Sequence, residues 1–146
     1  MNQDTIVQLK IKSQTEKLHL VRDFVSEAAR EFGFDEETVS KIALAVDEAC
    51  TNIIKHSYNY ASNKDIEVKI LTVNGTFEVV ISHSGKSFDP AAIKAPDMRE
   101  YLSHYRHGGL GMHLMRSLMD KVEYKKFSEE KSEVHLVKHM SSRLHR

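Results

Sequence analysis

The sequence predicts an α+β domain: a two-layer sandwich in which a mixed, mainly antiparallel sheet carries helices on one face. Three observations lead to this prediction. Two segments with helical periodicity follow each other in the first third of the chain. Two extended runs come next, joined by Asn74-Gly75, a pair that favours a two-residue hairpin turn. Two further β-like runs close the chain, so an antiparallel sheet is expected to cover the helices.

The first two elements are a strand and an amphipathic helix. Residues Thr5 to Lys12 alternate weakly and are rich in β-formers, and Ser13 to Thr15 then offers a helix cap. Apolar residues recur next at helical spacing, at Leu18, Val21, Val25, Ala28 and Phe32. Gly33 ends this pattern, as C-terminal glycines commonly do.

A second helix is expected to begin after Asp35, which is suited to cap it, and to continue until Ser57 or beyond. Its apolar stripe consists of Val39, Ile42, Val46, Ala49 and Ile53. The extended runs Asp65 to Val73 and Thr76 to His83 follow. Alternate residues of the second run are apolar, which gives the sheet a face onto which both helices can pack.

The character of the chain changes from Ser84 to Gly111, where two prolines interrupt regular structure and apolar residues are sparse. A segment of this length and composition predicts a long functional loop. Helical spacing returns over Met112 to Leu118, and β-like runs follow at Val122 to Phe127 and Glu133 to His139.

Length and composition predict one globular domain over residues 1–146. Basic and acidic residues number 21 each, so no overall field attracts the chain to nucleic acid or to an anionic membrane. No apolar run approaches the roughly 20 residues needed to span a bilayer. Cys50 is the single cysteine, which excludes an intrachain disulfide. A reducing cytoplasm is the expected setting.

The second helix carries Glu48, Asn52 and His56 at four-residue spacing, so the three share one strip beside the apolar stripe. A glutamate can accept a hydroxyl proton, and an asparagine oxygen can bind a hard cation. Such residues on a helix more often form only a solvated face. The small side chains of Ala45 and Ala49 favour the functional interpretation, because they would leave room for a ligand.

Two glycine-containing segments complete the pattern. At His83-Ser84-Gly85 a strand ends in a turn, where glycine would let backbone approach a flat ligand and His83 would meet its polar edge. At Gly108-Gly109-Leu110-Gly111 glycines precede a helix, which predicts an anion site made of free N–H groups. A plain loop and a flexible hinge remain the alternatives. No Walker lysine follows, and the histidines lack the spacing of a catalytic zinc helix.

These three stretches, in this order, resemble the ATP-binding boxes of the gyrase and histidine-kinase ATPase superfamily, the Bergerat fold. Within it the sequence is most similar to the small bacterial anti-sigma factors that are serine/threonine kinases, whose helix box resembles Ala45-Val46-Asp47-Glu48-Ala49-Cys50-Thr51-Asn52. The resemblance implies that Asn52 ligates the Mg²⁺ that bridges the ATP phosphates. It implies that Glu48 is the base toward a partner's hydroxyl, and that His56 borders the pocket.

The resemblance also assigns the other nucleotide-binding residues. Gly85 would pass under the adenine, and the loop from Phe88 to His107 would form the ATP lid, with Phe88 part of the site. The phosphates would be received at the following helix, by Gly108, Gly109, Leu110, Gly111 and Met112.

The second box departs from the family pattern Asp-x-Gly-x-Gly-Phe, since here it is His83-Ser84-Gly85-Lys86-Ser87-Phe88. In the family the aspartate accepts a hydrogen bond from the adenine amino group, which a neutral imidazole can also do. A lost partner at this position costs on the order of 1–3 kcal/mol, roughly 5- to 150-fold in affinity. Ser87 adds bulk where the family has its second glycine.

Two functions therefore remain open. The first is an ATP- and Mg²⁺-dependent serine/threonine kinase that binds a sigma factor or an equivalent regulator and phosphorylates an anti-sigma antagonist. The second is a protein-binding module of the same fold that has lost nucleotide turnover. A detached histidine-kinase domain fits less well, because no helix hairpin carries a substrate histidine. The resemblance also implies a homodimer.

Overall fold

We describe residues 5–84 and 116–140 of a computed structural model of the chain. Five strands and two long helices occur in them: β1 (Thr5–Lys12), α1 (Leu18–Phe32), α2 (Glu36–Asn52), β2 (Asp65–Val73), β3 (Thr76–His83), β4 (Lys121–Ser128) and β5 (Lys131–His139). A 3₁₀ turn at Thr15–Lys17 precedes α1, and a π turn at Ile53–Ser57 continues α2. Strands β2 and β3 have the predicted bounds, whereas β4 and β5 begin earlier than predicted.

The strands form one sheet in the order β1-β2-β3-β5-β4. Every pair of neighbours among these five strands is antiparallel, so the described sheet has no parallel pair. Strand β3 is central, and its last residue, His83, lies opposite Ile66 of β2 and Ser132 of β5. The end of β3 is thus enclosed on both sides by neighbouring strands.

Both helices pack on one face of the sheet, as predicted. The buried core contains residues of both helices and alternate residues of the strands, among them Val21, Val25, Ile42, Val46, Ile66, Val68, Phe77, Val79, Ile81, Val134 and Leu136. Phe77 extends the core into an aromatic cluster, with ring centroids 5.6 Å from those of Phe32 and Phe34. This packing fixes α2 against the central strands.

Local chemistry sets several element boundaries. Gly33 ends α1 in the left-handed region at φ 116°, which a glycine adopts without steric cost. The Asp35 carboxylate accepts a hydrogen bond of 2.9 Å from the Thr38 N–H and caps α2. Asn74 and Gly75 both have positive φ, at 48° and 78°, so the predicted hairpin turn is confirmed.

The predicted cap at the start of α1 is wrong. The N-cap position of the 3₁₀ turn is Gln14, and it makes no side-chain cap hydrogen bond. Ser13 instead donates from Oγ to the Ala61 carbonyl oxygen at 2.6 Å and accepts from the Lys64 N–H at 3.1 Å. The Ser13 hydroxyl therefore ties the end of β1 to the loop before β2.

Two further sequence expectations concern Cys50 and the membrane. Cys50 is fully buried in α2, and burial raises the pKa of its thiol far above the ordinary value. Among the described residues, none of the helices combines the length and the apolar character needed to cross a bilayer.

Candidate functional site

The strip on α2 has one buried and one partly buried polar residue. Asn52 is 1% exposed, although it is polar, and Glu48 one turn earlier is half-buried. Buried polar side chains are retained where they have polar contacts, so this pair is not an ordinary wetted helix face. Ala45 and Ala49, which were expected to leave room for a ligand, are instead buried core residues.

His56 differs from the other two residues of the strip because the helix changes its winding after Asn52. The π turn replaces the α-helical bond pattern, and the Tyr58 N–H donates to the Ile53 carbonyl oxygen at 2.9 Å. Single π turns in α-helices occur frequently at functional sites. His56 is largely exposed, and the loss of water around the covered part of its ring, together with the nearby charge of Lys55, lowers its pKa.

The end of β3 holds the second candidate residue. His83 is 6% exposed, and this burial lowers the pKa of its imidazole. A hydrogen bond to the Ser84 backbone acts in the opposite direction and is the smaller effect. Its Nδ1 lies 3.2 Å from the Ser84 carbonyl oxygen. The imidazole is therefore neutral at pH 7, with one ring nitrogen engaged by backbone.

Tyr58 connects these two regions, and sequence reasoning missed it. Its ring packs edge-on against the His83 ring at a centroid distance of 6.1 Å. Its hydroxyl accepts a hydrogen bond of 2.9 Å from the Ser84 N–H and donates to the Asp65 carbonyl oxygen. The hydrogen bond between Tyr58 and Ser84 joins residues 26 positions apart, and the partners of the hydroxyl are backbone groups. No sequence pattern therefore predicts it.

The structure thus places Glu48 and Asn52 on one helix and His83 on the central strand, with Tyr58 between the helix end and the strand end. The remaining predicted residues lie outside the described part of the chain: Gly85, Phe88, Gly108, Gly109, Leu110, Gly111 and Met112. The predicted lid from Phe88 to His107 also lies outside it. In residues 5–84 and 116–140, no group of three or more His, Cys, Asp or Glu side chains is arranged to hold a metal ion.

A separate groove of about 460 Å³ lies at the opposite end of the sheet, beside the hairpin turn. Its lining residues include Val7, Ala28, Phe32 and Gly75. Glu31 is its sole charged lining residue among those described. The groove is remote from Asn52 and His83, and we assign it no role in the chemistry of the site.

Comparison with known proteins identifies the family. A family model described as the histidine kinase-like ATPase domain matches residues 11–138. The serine-protein kinase RsbW of Bacillus velezensis is 31% identical over 122 residues, which cover 80% of this chain and 76% of that protein. The chain belongs to the anti-sigma serine kinase family of histidine kinase-like ATPase domains. RsbW of Bacillus subtilis is 29% identical over 132 residues, which cover 87% of this chain and 82% of that protein.

Two solved structures share the fold. The structure of the RsbU and RsbW domains of Rv1364c from Mycobacterium tuberculosis has a TM-score of 0.63 at 15% identity, covering 92% of this chain. The match covers 32% of that longer chain. The SiaB-SiaC complex from Pseudomonas aeruginosa has a TM-score of 0.60 at 12% identity, covering 90% of this chain and 88% of the matched one. At these identities the likeness shows the fold alone.

Proposed function

We propose that this chain is an ATP-binding serine/threonine protein kinase of the anti-sigma type, which transfers the γ-phosphoryl group of ATP to an antagonist protein. The observation that carries the proposal is the Glu48 and Asn52 pair, which lies one helical turn apart with the amide buried. A protein-binding scaffold gains nothing evident from this pair. The relatives are themselves serine-protein kinases.

The chemistry of the Asn52 and Glu48 side chains supports binding of Mg²⁺ together with ATP. The Asn52 carboxamide offers an oxygen donor of the kind that Mg²⁺ takes, and Mg²⁺ usually binds through one or two protein oxygens plus water and substrate phosphates. A single protein ligand is therefore sufficient. Bound Mg²⁺ supplies charge neutralisation at the phosphates. Asn52 would hold the ion, and Glu48 would accept the proton of the attacking hydroxyl.

The remaining nucleotide contacts are part of the same proposal. His83 would receive the base, and Gly85 would let the backbone pass beneath it. The residues Gly108, Gly109, Leu110, Gly111 and Met112 would receive the phosphates with their N–H groups. The loop from Phe88 to His107 would be the lid, His56 would border the pocket, and residues 1–146 would form one domain.

The proposed partners follow from the family. The RsbW relatives are serine-protein kinases, which supports binding of an antagonist protein that receives the phosphate. We propose that the chain also binds a sigma factor or an equivalent regulator and so regulates transcription. A homodimer in the cytoplasm is the proposed form. Balanced charge supports action through protein contact without direct binding of nucleic acid.

The test is phosphoryl transfer in an extract of the native cell. The purified chain is incubated with γ-labelled ATP and Mg²⁺, and labelled serine and threonine peptides are mapped by mass spectrometry. We expect one dominant labelled protein that also co-purifies with the chain. The Glu48→Gln variant should capture the same protein without labelling it. Equal labelling by wild type and Glu48→Gln would contradict the proposed role of the base.

A second function is favoured by one observation, the histidine in place of the family's aspartate. On this alternative the chain is a regulatory module that binds proteins and has little or no affinity for nucleotide. The His83→Asp variant separates the two functions. Tight ATP binding that appears only in the variant would support the module, whereas binding in both proteins would support the kinase.

A further inference from the structure

Tyr58 joins the helix that carries Glu48 and Asn52 to the end of the central strand. The residue follows the π turn directly, and its backbone N–H is bonded into that turn. Its side chain is 4% exposed and extends to Ser84. A displacement of Tyr58 would therefore alter both the helix end and the strand end.

The phenol oxygen of Tyr58 uses its full hydrogen-bonding capacity at this junction. A phenol has one proton to donate and two lone pairs to accept. The proton goes to the Asp65 carbonyl oxygen at the start of β2. The lone pairs receive the Ser84 N–H at 2.9 Å and the Ser84 Oγ–H at 3.3 Å. Ser84 is thus held through both its backbone and its side chain.

The position of Ser84 in turn determines which nitrogen of His83 carries the proton. A carbonyl oxygen only accepts, so Nδ1 must donate to the Ser84 carbonyl at 3.2 Å. The buried ring is neutral and has one proton, which leaves Nε2 as an acceptor. Ile66 and Ser132, the cross-strand neighbours, are uncharged.

A histidine at this position needs its tautomer to be fixed, whereas an aspartate has no such requirement. An ionised carboxylate is an acceptor in every orientation, whereas the two tautomers of imidazole present a donor or an acceptor to the same partner. With Nε2 as acceptor, the site can pair with an amino group of a base. The 6-oxo group of inosine is itself an acceptor and cannot pair with it.

We propose that Tyr58 is a positioning residue that holds Ser84 so that His83 presents an accepting Nε2 to the nucleobase, which makes the site selective for 6-aminopurine nucleotides. This inference rests on the proposed ATP-binding function. It accounts for a histidine at a position where the family uses an acid, and it assigns a role to a residue outside the three ATP-binding boxes.

The first experiment needs no nucleotide. Nitrogen-15 NMR of the full chain reports which ring nitrogen of His83 is protonated. We expect one neutral tautomer with the proton on Nδ1 in wild type and in Tyr60→Phe, a matched control at a tyrosine that is 63% exposed. Tyr58→Phe should give a mixture of tautomers. A wild-type proton on Nε2 would overturn the proposal, even if the Tyr58 variant fails to fold.

The second experiment compares ATP with inosine triphosphate by calorimetry. We expect wild type and Tyr60→Phe to bind ATP about tenfold more tightly than the inosine analogue, as for one gained or lost polar contact. Tyr58→Phe should reduce this ratio to about twofold. An equal loss for both nucleotides would show a merely structural role and overturn the proposal. If wild type binds neither nucleotide, the kinase function and the base selectivity both fail, and the NMR result decides the role of Tyr58 separately.

Discussion

The two halves of the candidate site are built in different ways. The helix half depends on one α-helix, in which four-residue spacing alone places Glu48 and Asn52 together. The strand half depends on contacts between distant segments, since His83 is oriented through Ser84 and Tyr58. A local repeat can be recognised in the sequence, whereas a tertiary junction requires the structure. The same difference predicts that substitutions in the helix half affect phosphoryl transfer and those in the strand half affect recognition of the base.

The largest expected effect separates chemistry from binding in the helix half. Glu48→Gln removes the proposed base while preserving shape, so we expect phosphoryl transfer to fall by about 10²- to 10⁴-fold. ATP affinity should stay within about twofold of wild type. Single-turnover transfer and calorimetric titration measure the two quantities. Glu37→Gln, at an exposed position in the first turn of α2, is the matched control and should retain both.

A smaller effect is expected at Asn52, because the residue is proposed to act through the metal ion. Asn52→Ala should weaken ATP binding about tenfold when Mg²⁺ is present, and the remaining affinity should no longer depend on Mg²⁺. Titrations with Mg²⁺ and with EDTA give the comparison. Persistence of the full Mg²⁺ dependence in a folded Asn52→Ala protein would exclude Asn52 as the ligand.

The position of the helix half depends on the start of α2. Asp35→Ala removes the carboxylate that accepts from the Thr38 N–H, and loss of such a cap costs about 1 kcal/mol of unfolding free energy. Urea denaturation measures this loss. Asp23→Ala, at an exposed position within α1, should change stability by less than about 0.5 kcal/mol. Equal losses in the two variants would contradict the capping role.

The smallest effect concerns the strand half and pH. Burial lowers the pKa of His83 below the ordinary value of 6.5, so the unfolded chain takes up this proton first as pH falls. The contribution of the neutral, buried His83 to the free energy of unfolding is therefore fully present above pH 6.5. It is lost as pH falls toward the pKa that His83 has in the folded protein. Denaturation of wild type and His83→Asn between neutral pH and pH 5 should show a steeper decline for wild type. His19→Gln, at an exposed histidine, should follow wild type.

Local chemistry accounts for what the sequence predicted well. Gly33, Asp35 and the Asn74-Gly75 pair each act on neighbouring backbone, so their effects on helix ends and on the hairpin follow from residue type. The two-layer arrangement with helices on one face follows from the periodicity of apolar residues. The spacing of Glu48 and Asn52 is of the same local kind.

What the sequence did not predict depends on distant partners. The Ser13 hydroxyl was expected to cap a helix, but it is hydrogen-bonded to Ala61 and Lys64, which lie 48 and 51 positions further along the chain. The π turn after Asn52 has no residue signature, and it alters the placement of His56. The junction at Tyr58 is equally non-local, since its partner Ser84 lies 26 positions further along the chain.

The most direct test of the proposed ATP site is a calorimetric titration of the folded wild-type chain with ATP, with and without Mg²⁺. We predict saturable binding with one site per chain, which weakens when Mg²⁺ is removed. Circular dichroism on the same sample establishes that the chain is folded. No detectable binding at millimolar ATP with Mg²⁺ would contradict the account, and the family's fold would then serve protein contact alone.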